Sequence, residues 1–347
     1  MLEKHIVHLC CPSCRSGLKI VDGDAVGAIA EGTLECEGCG SIYPIVRSVP
    51  RFVPEENYAA SFGLEWTAHA RTQYDTTSGR AMSKQRFFEE TRWPDDLRGQ
   101  LVIEPGSGSG RFTEVAASTG AMVLSLDMSV AVDANYATNG RSENVLIVQG
   151  DITQMPFPYD YADRLFCFGV LQHTPDPRRA FLSLPRHLRP GGSLVADVYV
   201  KSFGRYVLGT KYWVRPLTRR LPPKRLYRLV RRYVDLMWPA ARVIRRIPRT
   251  GPTVNWRLLV ADYSRELGKG GEVDDAVLKD WAYLDTFDML SPQFDQPQTR
   301  GAVRRWCGEA NLNDVEVVFG YNGIEIHATR SRTTSQLGRD AAAALNL

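Results

Sequence analysis

The chain has 347 residues, 44% hydrophobic and 24% charged, with a formal net charge of +4. Such a length buries a large core and is expected to hold more than one domain, and the composition is that of an ordinary globular protein, which excludes a disordered or collagen-like chain. No apolar run approaches the roughly 18 residues that span a bilayer, and the start "MLEKHIVHLCC" lacks the apolar stretch and cleavage site of a secretory signal, so a cytoplasmic protein is expected.

Residues 1–54 form a cysteine-bearing unit that ends in the proline-punctuated "VPRFVP". "CCPSC" and "CEGCG" supply Cys11, Cys14, Cys36 and Cys39 as two C-x-x-C pairs one hairpin apart. In a cytosolic chain this spacing points to a four-thiolate zinc site rather than to disulfides. Cys10 rivals Cys11, but Cys11-Pro12-Ser13-Cys14 has the better knuckle form. With four protein ligands the zinc is structural, and so small a core leans on it to fold. Residues 55–96 are polar and aromatic and lead in through helical pieces and loops.

From Leu101 the pattern alternates. Short β-branched runs ("LVIE", "MVLSLD", "VLIVQGD", "RLFCFGV", "SLVADVY") are separated by helical stretches such as "RFTEVAAS" and "SVAVDANYA". This predicts an α/β fold, with a mostly parallel sheet covered by helices on both faces over residues 97–200. Residues 201–296 are a helical insertion rich in Arg, Trp and Tyr. Residues 297–330 hold a last helix and two strands, "VEVVFG" and "IEIHATR". Their "YNG" link predicts a hairpin, so the sheet is expected to finish on an antiparallel strand. The 331–347 tail is polar, then alanine-rich, and is expected to be loosely held.

The chemistry concentrates at "LVIEPGSGSGRF". Gly106, Gly108 and Gly110 follow the first strand of the alternating region and open its helix, the place where α/β sheets bind ligands. Arg111 stands where a dinucleotide fingerprint needs glycine, and no Lys-Ser/Thr pair follows to make a phosphate loop. Asp127 ends the next strand, where a carboxylate accepts hydrogen bonds from both hydroxyls of a ribose. Asp151 ends the third, placed to accept from an adenine amino group. Glu104, just before the glycines, orients the loop or holds an ammonium group.

An acid before G-x-G-x-G ("EPGSGSG"), a second acid at Asp127 and "GDI" at Gly150–Asp151–Ile152 resemble the class I S-adenosylmethionine-dependent methyltransferases. The likeness covers residues 97–200 well and the last two strands moderately. It implies a Rossmann-like seven-stranded sheet with one antiparallel strand, S-adenosylmethionine as methyl donor, and Asp151 with Ile152 at the adenine. The "SIYPIVRSVPRFV" after the cysteines resembles the small zinc-binding activator proteins that partner some methyltransferases, here fused in cis. Zinc ribbons also bind nucleic acid, which keeps an rRNA or tRNA base methyltransferase as an alternative, beside a non-catalytic scaffold.

His173, in "GVLQHTPDP" beyond the fourth strand, is the candidate general base, or else it organises the loop. Between Lys201 and Thr250 fifteen Lys or Arg face one acid, Asp235. Leu226, Leu229, Val230, Tyr233, Val234 and Met237 give this stretch an apolar helical face. It reads either as a lid with a solvated basic back or as a landing site for an anionic acceptor, a carrier-linked or lipid-linked glycan among them, or a membrane surface. RNA would also be drawn to it, with Tyr212, Trp213 and Trp238 available to stack. Asp285, Asp288, Phe294 and Gln298 are candidates for the acceptor pocket. The expected acceptor is a small or carrier-linked molecule methylated on oxygen or carbon.

Overall fold

The computed structural model describes residues 1–23, 28–202, 209–268, 271 and 273–332, so the tail from 333 onward lies outside the description. Five parallel strands form the centre of a seven-stranded sheet: β5 (Leu101–Pro105), β6 (Met122–Asp127), β7 (Val145–Gln149), β8 (Ala162–Cys167) and β9 (Leu188–Val198). Every residue of β7 is buried, as a strand covered on both faces must be. The sheet is completed by β10 (Leu312–Gly320) and β11 (Gly323–Arg330), in the order β10-β11-β9-β8-β5-β6-β7. The hairpin forms as expected, but the antiparallel strand is β11, which pairs with both β9 and β10 and lies inside the sheet. Its two-residue link is Tyr321–Asn322, and Gly323 takes φ +133° as the first residue of β11.

Helices α3 (Arg111–Ser118), α4 (Val132–Asn139) and α5 (Pro177–Ser183) connect these strands. The Asp176 side chain caps α5 by accepting from the Arg179 N–H, with Pro177 at the first helical position. Strand order reverses between β5 and β8. The glycine loop therefore leaves β5 beside the loop that carries His173 after β8, at the switch point of the sheet.

The N-terminal unit is a four-stranded antiparallel sheet: β1 (Leu18–Gly23), β2 (Gly32–Cys36), β3 (Ile42–Val46) and β4 (Val49–Pro50). It docks along β7, the edge strand of the large sheet. Arg51 bridges Gln149 in parallel, the Phe52 N–H donates to the Gln149 carbonyl at 2.8 Å, and the Cys10 N–H donates to that of Pro156 at 2.9 Å. Leu18, Leu34 and Ile45 join the same apolar cluster as Leu146, Met155 and Phe157. The unit thus covers an otherwise open strand edge.

Before the sheet, α1 (Ala60–Ala68) and α2 (Met82–Thr91) cross one end of it. Between β9 and β10 stand α6 (Thr210–Thr218), α7 (Pro223–Ile244), α8 (Gly251–Arg257) and α9 (Asp275–Leu290), followed by α10 (Arg300–Glu309). Leu226, Val230, Val234 and Trp238 recur every fourth residue of α7 and share one cluster with Trp281, Ala282 and Phe287 of α9. This seam is narrower than the sequence pattern suggested. Tyr233 and Met237 pack partly buried beside it, whereas Leu229, expected on the same face, is 51% exposed.

Candidate active site

All three glycines of the loop have positive φ: +80° at Gly106, +55° at Gly108 and +93° at Gly110. A Cβ at Gly106 would stand 2.0 Å from Val170, and one at Gly110 would stand 2.2 Å from Asn135. The bareness of Gly106 and Gly110 thus lets the loop close on its own neighbours. Its N–H groups are also engaged: Gly106 and Ser107 donate to the Leu126 carbonyl, Gly108 to Asp127 Oδ2 and Gly110 to the Ser107 carbonyl. A phosphate cradle needs such donors free. This loop has turned them inward, which suits a ligand without phosphate.

Asp127 stands at the end of β6. Its Oδ1 accepts from the Ser129 N–H and hydroxyl, and its Oδ2 accepts from Gly108 at 2.9 Å. Burial pushes its carboxyl up, while those bonds pull it down. Asp151 caps the turn Ile152–Gln154 by accepting from the Thr153 N–H, and Gly150 and Ile152 beside it line the cleft. Gly106, Gly108, Asp127, Ile152 and His173 all line that cleft. Glu104 and Gly110 lie behind the loop. Glu104 is buried, accepts from the Thr113 hydroxyl, and is pushed up to about 8 by desolvation.

Beyond Arg111, which opens α3 on the glycine side, the cleft is walled by residues the sequence did not single out: Tyr58, Phe62, Glu65 and Trp66 in and around α1, Arg86 of α2, and Tyr199 and Tyr263. The aromatic density of "SFGLEWTAHARTQYD" was the available signal. Glu65 is 0% exposed, and neither carboxylate oxygen has a hydrogen-bond partner. Gln73 Oε1, Trp281 Nε1 and Asp285 Oδ2 are likewise unpartnered. Burial, with Asp288 and Asp285 adding repulsion, pushes Glu65 well up; burial, with Asp288, pushes Asp285 up to about 8. Desolvation lowers Arg111 to about 10, assisted by Arg86. Buried polar atoms ordinarily find partners, so four such residues around one cleft mark a cavity shaped for a polar ligand.

A second chamber of about 990 Å³ opens between α6, α8, α9 and the β10–β11 hairpin. It shares His173, Tyr199, Tyr263, Asp285, Asp288 and Tyr321 with the cleft. His173 is therefore at the seam. Its Nδ1 lies 3.0 Å from the Phe294 carbonyl, which only accepts, so Nδ1 carries the proton and Nε2 is left as the basic nitrogen. The ring packs edge-on to Phe62 and Tyr199, at 5.1 and 5.5 Å between centroids. Of the expected acceptor residues, Asp285 and Asp288 line both cavities. Phe294 and Gln298 act from outside them, Gln298 by donating its N–H to the Tyr199 carbonyl at 2.7 Å.

The basic insertion divides sharply. Lys211 pairs with Asp295 at 3.0 Å, and buried Arg215 donates to the Met289 and Pro292 carbonyls. Arg219, Arg220, Lys224, Arg225, Arg228 and Arg232 are exposed and line neither cavity. Trp238, expected to be free for stacking on bases, is buried and donates to Asp275, because it belongs to the seam of α7. Among the described residues no helix is long and apolar enough to cross a membrane.

The sulfurs of Cys11, Cys14, Cys36 and Cys39 all lie within 4.8 Å of one another, with Cys11–Cys39 at 3.7 Å and Cys14–Cys36 at 3.3 Å. Tetrahedral zinc with Zn–S bonds of about 2.3 Å needs sulfurs about 3.8 Å apart. The set fits a structural zinc. Cys10 stands outside it.

The strand order and the glycine loop at the switch point define a Rossmann-like methyltransferase fold. Residues 103–196 match the family model described as "Methyltransferase domain", and residues 8–48 match that of "Trm112p-like protein". The chain thus carries a methyltransferase domain behind a Trm112-like zinc-ribbon segment. It is similar to a ubiquinone biosynthesis O-methyltransferase of Coxiella burnetii, 30% identical over 122 residues, 33% of this chain and 52% of the relative. The chloroplastic 2-methyl-6-phytyl-1,4-hydroquinone methyltransferase of Spinacia oleracea is 34% identical over 113 residues, 30% of this chain and 33% of the relative. The chain therefore spans about half, or less, of the length of these relatives. A solved structure assigned as an S-adenosylmethionine-dependent methyltransferase of Methanococcus maripaludis aligns with TM-score 0.43 and 16% identity, over 82% of this chain and 98% of that one.

Proposed function

We propose that the protein is an S-adenosylmethionine-dependent methyltransferase acting on a small or carrier-linked acceptor, on oxygen or carbon. The observation that carries this is the meeting of two cavities at His173: a cleft floored by Gly106, Gly108, Asp127 and Ile152, and a chamber roofed by the helical insertion. When bound, the cofactor supplies an electrophilic methyl group on a sulfonium. Asp127 holds the ribose through the lone pairs its present bonds leave over, Ile152 and the segment capped by Asp151 flank the adenine, and Glu104 with Gly110 fixes the loop from behind. His173 Nε2 takes the proton of an acceptor hydroxyl. Alignment of acceptor and methyl supplies most of the acceleration.

On this reading the chain divides into a zinc ribbon (1–54), a lead-in that closes the cleft (55–96), the cofactor core (97–200), an acceptor-binding lid (201–296), the closing helix and strands (297–330) and a tail (331–347). Thiolate ligands in the ribbon suit a cytoplasmic, reducing setting. The relatives named above act, by their names, on hydroquinone-type and ubiquinone-pathway substrates, which supports a small-molecule acceptor. An anionic acceptor is less well supported than the basic composition suggested, because the exposed arginines of α7 line neither cavity, and Glu266, Asp285, Asp288 and Asp295 line the chamber beside Lys211 and Arg257. The same acids and the burial of Trp238 weigh against an RNA base. The unpartnered polar atoms in the cleft weigh against a scaffold that binds no ligand.

Titration calorimetry with S-adenosylmethionine on zinc-loaded protein tests the reading. Micromolar binding is expected, weakened about 100-fold in Asp127→Ala by loss of charge-assisted hydrogen bonds. No binding by folded wild-type protein would overturn it.

A further inference from the structure

The outward side of α7 has no role in the cavities or the core. At about 100° per residue, the seam through Leu226, Val230 and Val234 leaves the opposite side to Leu229, Leu236 and Val243, spaced seven apart and 51%, 78% and 64% exposed. Ile247 carries the line past the helix end, also exposed. Exposed Arg225, Arg228 and Arg232 fall within the same half of the helix, so the face alternates aliphatic side chains with guanidinium groups. The one acid on α7, Asp235, is held by Lys279 at 2.7 Å and by the Tyr283 hydroxyl. The preceding helix α6 exposes Trp213 at 65% and Leu217 at 69%.

Single exposed aliphatics are commonplace, but a line of them on one helix is not, since a solvated back is normally polar. A nucleic acid would use the arginines and leave Leu229, Leu236 and Val243 without partners. An anionic lipid surface uses both kinds of group: aliphatic side chains enter the acyl boundary, arginines meet the headgroups, and a tryptophan settles at the interface. We propose that the α6–α7 face of the insertion docks the protein on an anionic membrane surface. Thr210, Lys211 and Tyr212 of α6 line the acceptor chamber, while Trp213 and Leu217 of the same helix are exposed. The docking claim itself does not depend on the methyl-transfer reading.

Co-sedimentation of the full-length, zinc-loaded chain with vesicles tests it, comparing phosphatidylcholine alone with phosphatidylcholine containing 30% phosphatidylglycerol (about one anionic lipid in three). Binding is expected only to the anionic vesicles, falling as salt rises. The pair Arg225→Glu/Arg232→Glu should lower the partition coefficient at least ~30-fold, at roughly a tenfold per 1.4 kcal/mol. Leu229→Ser/Leu236→Ser should lower it as well with charge unchanged; all four residues are exposed, and melting curves check that the variants fold. Absence of wild-type binding to anionic vesicles would overturn the proposal. So would undiminished binding by the leucine pair, which would reduce the face to a charge patch. RNA binding lost in the arginine pair, with no vesicle binding by the wild type, would assign the face to nucleic acid instead.

Discussion

The floor and the roof of the central cavity are built in opposite ways. The floor is backbone: a glycine loop whose N–H groups are spent on Leu126, Ser107 and Asp127, with short side chains such as Ser129 and Thr153 closing the remaining bonds. The roof is long side chains from distant segments, and several of its buried polar atoms have no partner, both oxygens of Glu65 and Oδ2 of Asp285 among them. A satisfied floor holds its shape without a ligand. An unsatisfied roof stores desolvation cost that a ligand relieves. The contrast suits a cleft whose glycine side is preformed and whose opposite wall is completed by its ligand.

Four measurements would break or sharpen that contrast, and the largest effect should come from the metal. Chelation should unfold the N-terminal unit, because thiolate–zinc binding supplies its folding energy. It should disturb the floor through the Phe52–Gln149 bond more than the roof, so a calorimetric trace would lose an early transition while the melting of α7–α9 persists. A single unchanged transition would show that the ribbon stands without metal. Next, His173→Gln should cut kcat about 10²–10³-fold, as loss of a general base does, with cofactor affinity kept; a fall in affinity instead would move His173 from the seam to the floor.

Glu65→Met should come third. Replacing a buried carboxyl that has no partner by an apolar side chain of similar length should raise the stability of the ligand-free protein by about 1–3 kcal/mol, while weakening ligand binding at the roof. Destabilisation would mean that the roof is already satisfied. The fourth measurement is the pH slope. Glu104 and Asp285 are each held up to about 8, above ordinary carboxyl values. In the window between about pH 4.5 and 8 the folded protein keeps protons that the unfolded chain has released, so stability falls as pH rises, by at most about 1.4 kcal/mol per unit for each group. Glu104→Gln should flatten the denaturant-measured slope; an unchanged slope would place its proton elsewhere.

The same contrast explains what could be read from the sequence. The floor was legible because its signals are local: Gly106, Gly108 and Gly110 within five residues, Asp127 and Asp151 each at a strand end, and the cysteine pairs at fixed spacing. The roof was not, because Glu65, Arg86 and Asp285 meet only once α1, α2 and α9 have packed, and no spacing announces that. The errors follow the same division. Trp238 looked free because composition does not say which side of a basic helix is buried. Glu104 had two open roles, orienting the loop or holding an ammonium group, and the contact with Thr113 that favours the first also forms only in the fold.

The strand contact between the ribbon and β7 has a further consequence. Arg51 and Phe52 add a short bridge to the sheet edge, beside the packing of Leu18, Leu34 and Ile45 with Leu146, Met155 and Phe157. On one polypeptide such a contact need not be strong. The linkage sets an effective concentration in the millimolar range for a short connection, so even a weak edge pairing is saturated whatever the amount of protein in the cell. A two-chain arrangement would make the state of that edge follow partner abundance; covalent fusion makes it stoichiometric and independent of dilution.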